Sequence, residues 1–296
     1  MKYLLMASAA LALVACATET NKSQDVEASK SASSSASAAL DAVLEAQSDE
    51  AKARYADRHP KETLEFFGVV PGMTVVDTLP GNPWYSGILL DYLGPDGKVV
   101  GADYSPEMWT MFGNFAPDPA AKATWAEDWV TEAEGWRDAD TDASVDAVAY
   151  GAVPAEMAGT ADIILQIRSM HHFNRLEDKG AYMTGALADM MTLLKPGGIV
   201  GVVQHRAPEA NPDESATGSQ GYLKQSALIA TFEAAGFEFV EASEINANPN
   251  DQPSASDVVW RLPPVLATSR DNPELKAQMQ AIGETDRMTL KFRKPS

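Results

Sequence analysis

Short apolar runs alternate with helical patterns through most of this chain. Residues 74–77, 98–102 and 161–167 are short and rich in β-branched or aliphatic side chains, as expected of strands that are buried on both faces. Helical patterns, such as those of residues 84–93 and 178–194, separate these runs. The alternation predicts βαβ units, and therefore a mostly parallel sheet with helices on both faces.

Four further strands are predicted, at residues 123–125, 199–203, 237–241 and 288–293. The fold class that follows is α/β, a Rossmann-like doubly wound sheet. About 250 residues suit one domain with a sizeable core, and residues 40–296 are assigned to it.

The chain begins with a pattern typical of export. Lys2 precedes an apolar run over residues 3–15, which is too short to span a bilayer. The run closes with the sequence LVAC at residues 13–16 and resembles a bacterial lipobox, which implies a signal peptide over residues 1–15 and a lipid on Cys16. The alternative is an ordinary secretory signal with an incidental cysteine. Because Ala17 follows the cysteine, we expect an envelope lipoprotein of the outer membrane that faces the periplasm.

Residues 16–39 are rich in Ser and Ala, and residues 31–38 read SASSSASA. Such a segment buries too little apolar surface to offset its ordering entropy, so a disordered tether is predicted. Cys16 is the only cysteine, which excludes an internal disulfide. The net charge of −19 argues against nucleic acid as a partner, and membrane contact is expected through the lipid on Cys16. The sequence predicts no oligomeric state.

In doubly wound sheets, ligands bind beyond the carboxyl ends of the strands, at the point where the strand order reverses. The predicted strands place five groups of polar residues around one such crevice: residues 77–85, Asp103, residues 127–128, residues 168–173 and His205.

From about residue 53 to 295 the chain resembles class I S-adenosylmethionine-dependent methyltransferases, and most closely a group of bacterial methyltransferases that are often exported. The resemblance rests on FGVVPGMTVVD at residues 67–77, PGNPWY at 80–85, LLKPGG at 193–198, HRA at 205–207 and TDRMTLKFRKP at 285–295. It implies seven strands with the last antiparallel, S-adenosylmethionine as cofactor, and methyl transfer to a small-molecule acceptor.

The family's first motif has an acidic residue at the end of strand one and then a glycine-rich turn. Asp77 and Gly81 match it, but Leu79 and Pro83 stand where glycines are expected. Leucine adds a Cβ and proline lacks an N–H. The alternative is therefore a structural turn whose cofactor site has eroded.

Asp103, at the end of strand two, is predicted to accept hydrogen bonds from both ribose hydroxyls, or else to face the start of the helix at Pro106. Asp128 would hold the adenine amino group after strand three, and Trp129 would lie against the ring or pack in the core. The predicted cofactor-binding residues are Asp77, Gly81, Asn82, Tyr85, Asp103, Tyr104, Asp128, Trp129 and Arg168.

His171, His172 and His205 follow two strands that neighbour each other in this fold. They are the predicted catalytic residues, since histidine is suited to proton transfer near neutral pH. Metal binding and structural hydrogen bonding are the alternatives, although no HExxH spacing is present. A non-catalytic, ligand-binding lipoprotein on a degenerate methyltransferase fold remains the alternative function.

Overall fold

The computed structural model describes residues 33–81 and 83–296. The predicted signal peptide, the lipidation site at Cys16, residues 16–32 of the predicted tether, and Asn82 lie outside the described residues. Within them, no helix is long and apolar enough to cross a membrane.

A single twisted sheet organises the chain, in the order β3-β2-β1-β4-β5-β8-β7. The strand β8 runs antiparallel to both β5 and β7, whereas the pairs from β3 to β5 are parallel. A two-residue strand, β6, pairs with β5 beside this path. The strands are β1 (Thr74–Thr78), β2 (Lys98–Asp103), β3 (Ser144–Ala149), β4 (Ala161–Ile167), β5 (Leu194–Ala207), β6 (Leu223–Lys224), β7 (Glu238–Ser243) and β8 (Arg287–Arg293).

This order confirms the predicted Rossmann-like, doubly wound fold and its antiparallel last strand. The order reverses between β1 and β4, which places the ligand crevice at the carboxyl ends of these two strands.

Helices cover both faces of the sheet. Their starts follow the capping rules: Pro60, Pro106 and Pro273 each lie in the first turn of a helix, where a missing N–H costs nothing. Residues 33–46 are helical and are called α1. The others are α2 (Asp49–Lys52), α3 (Tyr55–Arg58), α4 (Pro60–Phe67), α5 (Trp84–Leu93), α6 (Pro106–Thr110), α7 (Pro119–Ala123), α8 (Trp125–Glu134), α9 (Met170–Arg175), α10 (Glu177–Gly180), α11 (Tyr182–Leu193), α12 (Gln225–Ala234) and α13 (Pro273–Ile282).

Two hydrophobic cores lie on opposite faces of the sheet. Successive strand residues alternate between them: Val75 and Ile163 belong to one core, and Val76 and Ile164 to the other. This alternation is the period of two of a β-strand, and burial on both faces explains the continuous apolar runs.

The third strand is not where the sequence predicted it. Residues 123–125 lie at the junction of α7 and α8, and β3 is formed by Ser144–Ala149. Asp118 caps α7 by accepting a hydrogen bond from the Ala120 N–H, and Pro119 follows in the first turn. These two residues are a helix start signal that outweighs the β propensity of three residues.

The predicted boundary at residue 39 also differs from the structure. Residues 33–39 are helical and continue into the domain as α1. Leu40 is fully buried, and Ser37 is hydrogen-bonded to Lys61 and Glu65 of α4. The part of the predicted tether from residue 33 onward is therefore packed on the domain.

Candidate functional site

The turn after β1 keeps the backbone shape that the missing glycine would give. Leu79 has φ = 56°, in the left-handed region, which glycine adopts freely and other residues adopt at a cost. Its N–H donates to the Ala102 carbonyl at 2.7 Å, and the Gly81 N–H donates to the Leu79 carbonyl at 2.7 Å. These two hydrogen bonds hold the turn closed and attach it to β2, although residue 79 is leucine and not the glycine that the resemblance implies.

A cavity of about 250 Å³ lies beside this turn. It combines the β1 turn, the end of β2 and the aromatic side chains of the following helices. Its lining residues are Leu79, Pro80, Gly81, Asp103, Trp109, Lys122, Trp125 and Trp129.

Asp103 is the buried carboxylate of this cavity. Its Oδ1 accepts hydrogen bonds from the Tyr104 N–H at 2.7 Å and the Trp109 indole N–H at 3.0 Å. Its Oδ2 lies 2.6 Å from Lys122 Nζ. Burial raises the pKa of Asp103, and the bonds from Lys122 and the N–H donors counteract that rise. The N-cap of α6 is Ser105, and Asp103 contacts this helix through the Trp109 indole N–H.

Lys122 was not singled out from the sequence, although it dominates the electrostatics of the cavity. Its ammonium lies 4.4 Å from the Trp109 ring centroid and 5.7 Å from that of Trp125, within the range of cation–π attraction. Because α7 contributes Lys122 from 19 residues beyond Asp103, no local spacing pointed to it.

Trp129 lines the cavity, whereas Asp128 does not. Both residues lie in α8 and not after a strand. Asp128 is exposed and accepts a hydrogen bond from the Thr124 hydroxyl, so its predicted place after strand three is wrong. The Trp129 ring packs on Gly101 of β2, where an added Cβ would come within 2.8 Å of it. Among the described residues, the buried Trp129 Nε1 has no hydrogen-bond partner.

Asp77 and Tyr85 are buried where β1 meets α5. Asp77 accepts a hydrogen bond from the Ser86 hydroxyl at 2.7 Å. Burial raises the pKa of Asp77 to about 6, although the hydrogen bond from Ser86 acts to lower it. Burial also raises the pKa of the Tyr85 phenol.

The Tyr104 side chain lies in the core and not in the cavity. It is 1% exposed, and its hydroxyl lies 3.1 Å from the Ser169 carbonyl oxygen and 3.0 Å from His172 Nδ1. Tyr104 was predicted to bind the cofactor, but its side chain instead packs α6 against α9.

The three histidines cluster as predicted. The ring centroids of His171 and His172 are 4.0 Å apart, and those of His171 and His205 are 5.7 Å apart. His205 Nδ1 lies 2.6 Å from the Thr285 hydroxyl oxygen. Within the described chain, no group of three or more His, Cys, Asp and Glu side chains could hold a metal ion.

Burial keeps these imidazoles neutral. It lowers the pKa of His171 to about 4 and lowers the pKa values of His172 and His205 below the ordinary range. Gln204 Nε2 donates to the Gly221 carbonyl at 3.0 Å, which orients its Oε1 toward His171 Nδ1 at 3.3 Å. His171 Nδ1 therefore carries the proton, and Nε2 keeps its lone pair.

Arg168 follows β4 directly, at the crevice. Its φ of 58° is left-handed, and its N–H donates to the Val203 carbonyl of β5 at 2.6 Å. Burial lowers the pKa of its guanidinium, the charge of Arg287 lowers it further, and the charge of Glu284 counteracts this. No local sequence pattern placed Arg287 and Glu284 here. The structure thus brings Asp77, Gly81, Asp103 and Trp129 to the β1–β2 side of the crevice, and Arg168 and the histidines to its β4–β5 side.

No family model and no curated protein matches the sequence. Solved structures with a similar fold are S-adenosylmethionine-dependent methyltransferases for the most part. One, from Aquifex aeolicus, is 17% identical, with 70% of this chain and 93% of that chain covered and a TM-score of 0.45. The arsenic(III) methyltransferase of Chlamydomonas reinhardtii is 15% identical, with 87% and 73% covered and a TM-score of 0.43.

The cyclase SpnF also has a similar fold. It is 19% identical, with 81% of each chain covered and a TM-score of 0.46. A shared fold does not determine the reaction, so the function must be argued from the residues of the site.

Proposed function

We propose that this protein transfers a methyl group from S-adenosylmethionine to a small-molecule acceptor. The observation that carries the proposal is the shared cavity of the β1 turn and Asp103. A left-handed turn at Leu79 and a buried carboxylate at the end of β2 meet there, at the edge where doubly wound sheets bind nucleosides.

The residues of this cavity suit the adenosine part of the cofactor. Asp103 Oδ2 would accept the ribose hydroxyls once Lys122 has moved away, and the tryptophan rings offer flat apolar surface to a base. The unpartnered Trp129 N–H adds a donor. The cavity of about 250 Å³ is slightly below the range of about 300–1,000 Å³ that is usual for ligand pockets, so binding requires the displacement of Lys122.

When bound, S-adenosylmethionine supplies a methyl group on a sulfonium, and the protein's main contribution is to align donor and acceptor. His171 Nε2 holds a lone pair and can take a proton from the acceptor. Gln204 fixes the ring by its contact with Nδ1. Burial lowers the pKa of His171 to about 4, so the imidazole is neutral at neutral pH but is a weak base in the unliganded protein.

A second candidate function is the binding of a ligand without catalysis. The contact between Lys122 and Asp103 favours this second function. The ammonium lies 2.6 Å from Asp103 Oδ2, the oxygen that the ribose would need as an acceptor. In this case the fold has kept its cavity but uses it for another ligand.

Attachment to the cell envelope is part of the proposal. The sequence LVAC at residues 13–16 supports lipidation of Cys16, and anchoring in the outer membrane is expected from Ala17. Methyl transfer there would require the cofactor outside the cytoplasm, so the supply of cofactor is a condition of this proposal.

Calorimetry of the purified full-length protein tests the proposed function. S-adenosylmethionine and S-adenosylhomocysteine are titrated in parallel with methionine, which lacks the nucleoside. We expect saturable binding of both nucleosides and none of methionine at the same concentration. Absence of nucleoside binding would favour the non-catalytic alternative.

A further inference from the structure

Three arginines contact one carboxylate on the β5–β8 side of the crevice, and a fourth, Arg168, lies near enough for its charge to interact with that carboxylate. Glu284 Oε1 accepts from Arg54 Nη2 at 3.1 Å and from Arg58 Nε at 3.3 Å. Its Oε2 lies 3.2 Å from Arg287 Nη1. Together with Arg168, these residues are called the arginine cluster.

Most of the cluster is buried, although the chain as a whole is strongly acidic. The side chains of Arg58, Arg287 and Glu284 are 7%, 4% and 8% exposed. Buried charge is costly unless it is paired, and here one carboxylate pairs with three guanidiniums. The remaining contacts of Arg287 are to the carbonyl oxygens of Asp57 and Thr285, which do not neutralise it.

Arg168 is the member of the cluster that Glu284 does not bind. In the described part of the chain, its buried Nε has no hydrogen-bond partner and its guanidinium forms no ion pair. The residue is partly exposed, so solvent reaches it. Its left-handed backbone is unfavourable for a residue other than glycine and is typically retained at binding sites.

The position of Arg168 connects the cluster to the proposed catalytic residues. Its charge, with that of Arg287, lowers the pKa of His205 and counteracts the raised pKa of Tyr85. The Arg168 N–H donates to Val203 of β5, and Arg287 of β8 is the register partner of His205, so both arginines lie beside the end of β5 that carries His205.

We propose that Arg168, with Arg54 and the buried arginines behind it, forms a subsite that binds a carboxylate or phosphate group of the methyl acceptor. A guanidinium presents parallel N–H donors that match such a group, and the unbalanced positive charge favours an anion. Assignment of this anion to the acceptor rests on the proposed function. The acceptor class is thereby narrowed to anionic small molecules.

A carboxylate could also come from the methionine part of the cofactor. The two sources share their chemistry, so the experiment has one arm for each. The first arm uses inorganic phosphate as probe, titrated into the full-length protein at constant ionic strength, with the melting temperature and calorimetric heat as readouts. The second arm compares S-adenosylhomocysteine with methylthioadenosine, which lacks the amino acid group.

In the phosphate arm, we expect saturable binding to the wild type and at least tenfold weaker binding to Arg168→Met. Arg270→Met is the matched control, because Arg270 is exposed and outside the cluster, and it should remain within twofold of the wild type. If Arg168→Met does not fold, Arg54→Met serves instead, because that side chain is 30% exposed; at least threefold weaker phosphate binding is then expected. The subsite is overturned if phosphate binding does not saturate, or if these variants bind phosphate with the same affinity as the wild type.

The sequence predicted Arg168 to bind the cofactor. In the nucleoside arm, a subsite for the acceptor predicts instead that Arg168→Met changes the affinities for S-adenosylhomocysteine and methylthioadenosine by the same factor. Phosphate should also bind to protein that is saturated with S-adenosylhomocysteine. If Arg168→Met lowers the affinity for S-adenosylhomocysteine more than the affinity for methylthioadenosine, Arg168 binds the amino acid group of the cofactor. That result would overturn the acceptor subsite. If neither nucleoside binds the wild type, the proposed function fails, while the phosphate arm still decides whether the anion subsite exists.

Discussion

Lys122 Nζ lies 2.6 Å from Asp103 Oδ2, inside the cavity that the proposed cofactor would enter. The lysine is 16% exposed and the aspartate is 3% exposed, so the pair is shielded from solvent screening. The contact makes Lys122 a direct competitor of any ribose that binds Asp103.

Replacement of Lys122 by methionine should therefore tighten nucleoside binding. A charge-assisted hydrogen bond contributes about 1.5–3 kcal/mol, so affinity for S-adenosylhomocysteine should rise about tenfold, while the free energy of unfolding falls by about 1–3 kcal/mol. Calorimetry and urea denaturation measure the two effects. Lys276→Met, at an exposed position, is the control. A loss of affinity in Lys122→Met would mean that Lys122 itself contacts the ligand.

The packing of Trp129 on Gly101 gives a second prediction. A Cβ at residue 101 would come within 2.8 Å of the indole, so Gly101→Ala should displace the ring and destabilise the protein by about 1–3 kcal/mol. Nucleoside affinity should fall with it. Gly185→Ala in α11 meets nothing within 4 Å and should be neutral or stabilising by up to about 1 kcal/mol. Equal unfolding free energies of the two variants would contradict this packing.

Asp77 predicts a specific pH dependence of stability. Its folded pKa of about 6 lies above its ordinary value of 3.8, so the folded wild type binds the extra proton between these values and loses stability as the pH rises through them. Asp77→Asn lacks this loss. Since one pKa unit corresponds to about 1.4 kcal/mol, the unfolding free energy of Asp77→Asn relative to wild type should rise by about 2.4 kcal/mol from pH 4 to pH 7. Parallel pH profiles from urea denaturation would refute a raised pKa.

The proposed lipid anchoring depends on Cys16, which lies outside the described chain. We expect Cys16→Ser to block lipidation and to move the protein from the detergent phase to the aqueous phase in a partition assay. Ser37→Ala, in the helical part of the former tether, is the control and should partition like the wild type. A Cys16→Ser protein that still partitions into detergent would exclude the lipoprotein interpretation.

The sequence predicted the elements whose signals are local. The strand Ala161–Ile167 and the helix Trp84–Leu93 have the predicted bounds, because a nearly continuous aliphatic run and a helix closed by Gly94 need no tertiary information. The third strand was misplaced because Ser144–Ala149 is short and only partly buried. The error moved Asp128 to a position that it does not occupy.

The candidate site was predictable only where strand ends alone determine position. Asp77, Asp103 and the histidines lie at or just beyond the carboxyl ends of strands, and the sheet brings these ends to one edge. The partners of these residues come from distant parts of the chain. Lys122 reaches Asp103 from the helix α7. Arg54 and Arg58 contact Glu284 from about 230 residues away in the sequence. Contacts between residues so far apart leave no short, recognisable spacing in the sequence.

The central claim is that Asp103 binds the ribose of a nucleoside cofactor, and titration of S-adenosylhomocysteine into the wild type, Asp103→Asn and Asp103→Ala tests it most directly. Loss of charge-assisted hydrogen bonds predicts at least tenfold weaker binding to both variants, with Asp271→Asn, at an exposed position, unchanged. Circular dichroism shows that each variant is folded. Equal affinity of the wild type and Asp103→Asn, or no nucleoside binding by the wild type, would contradict the account.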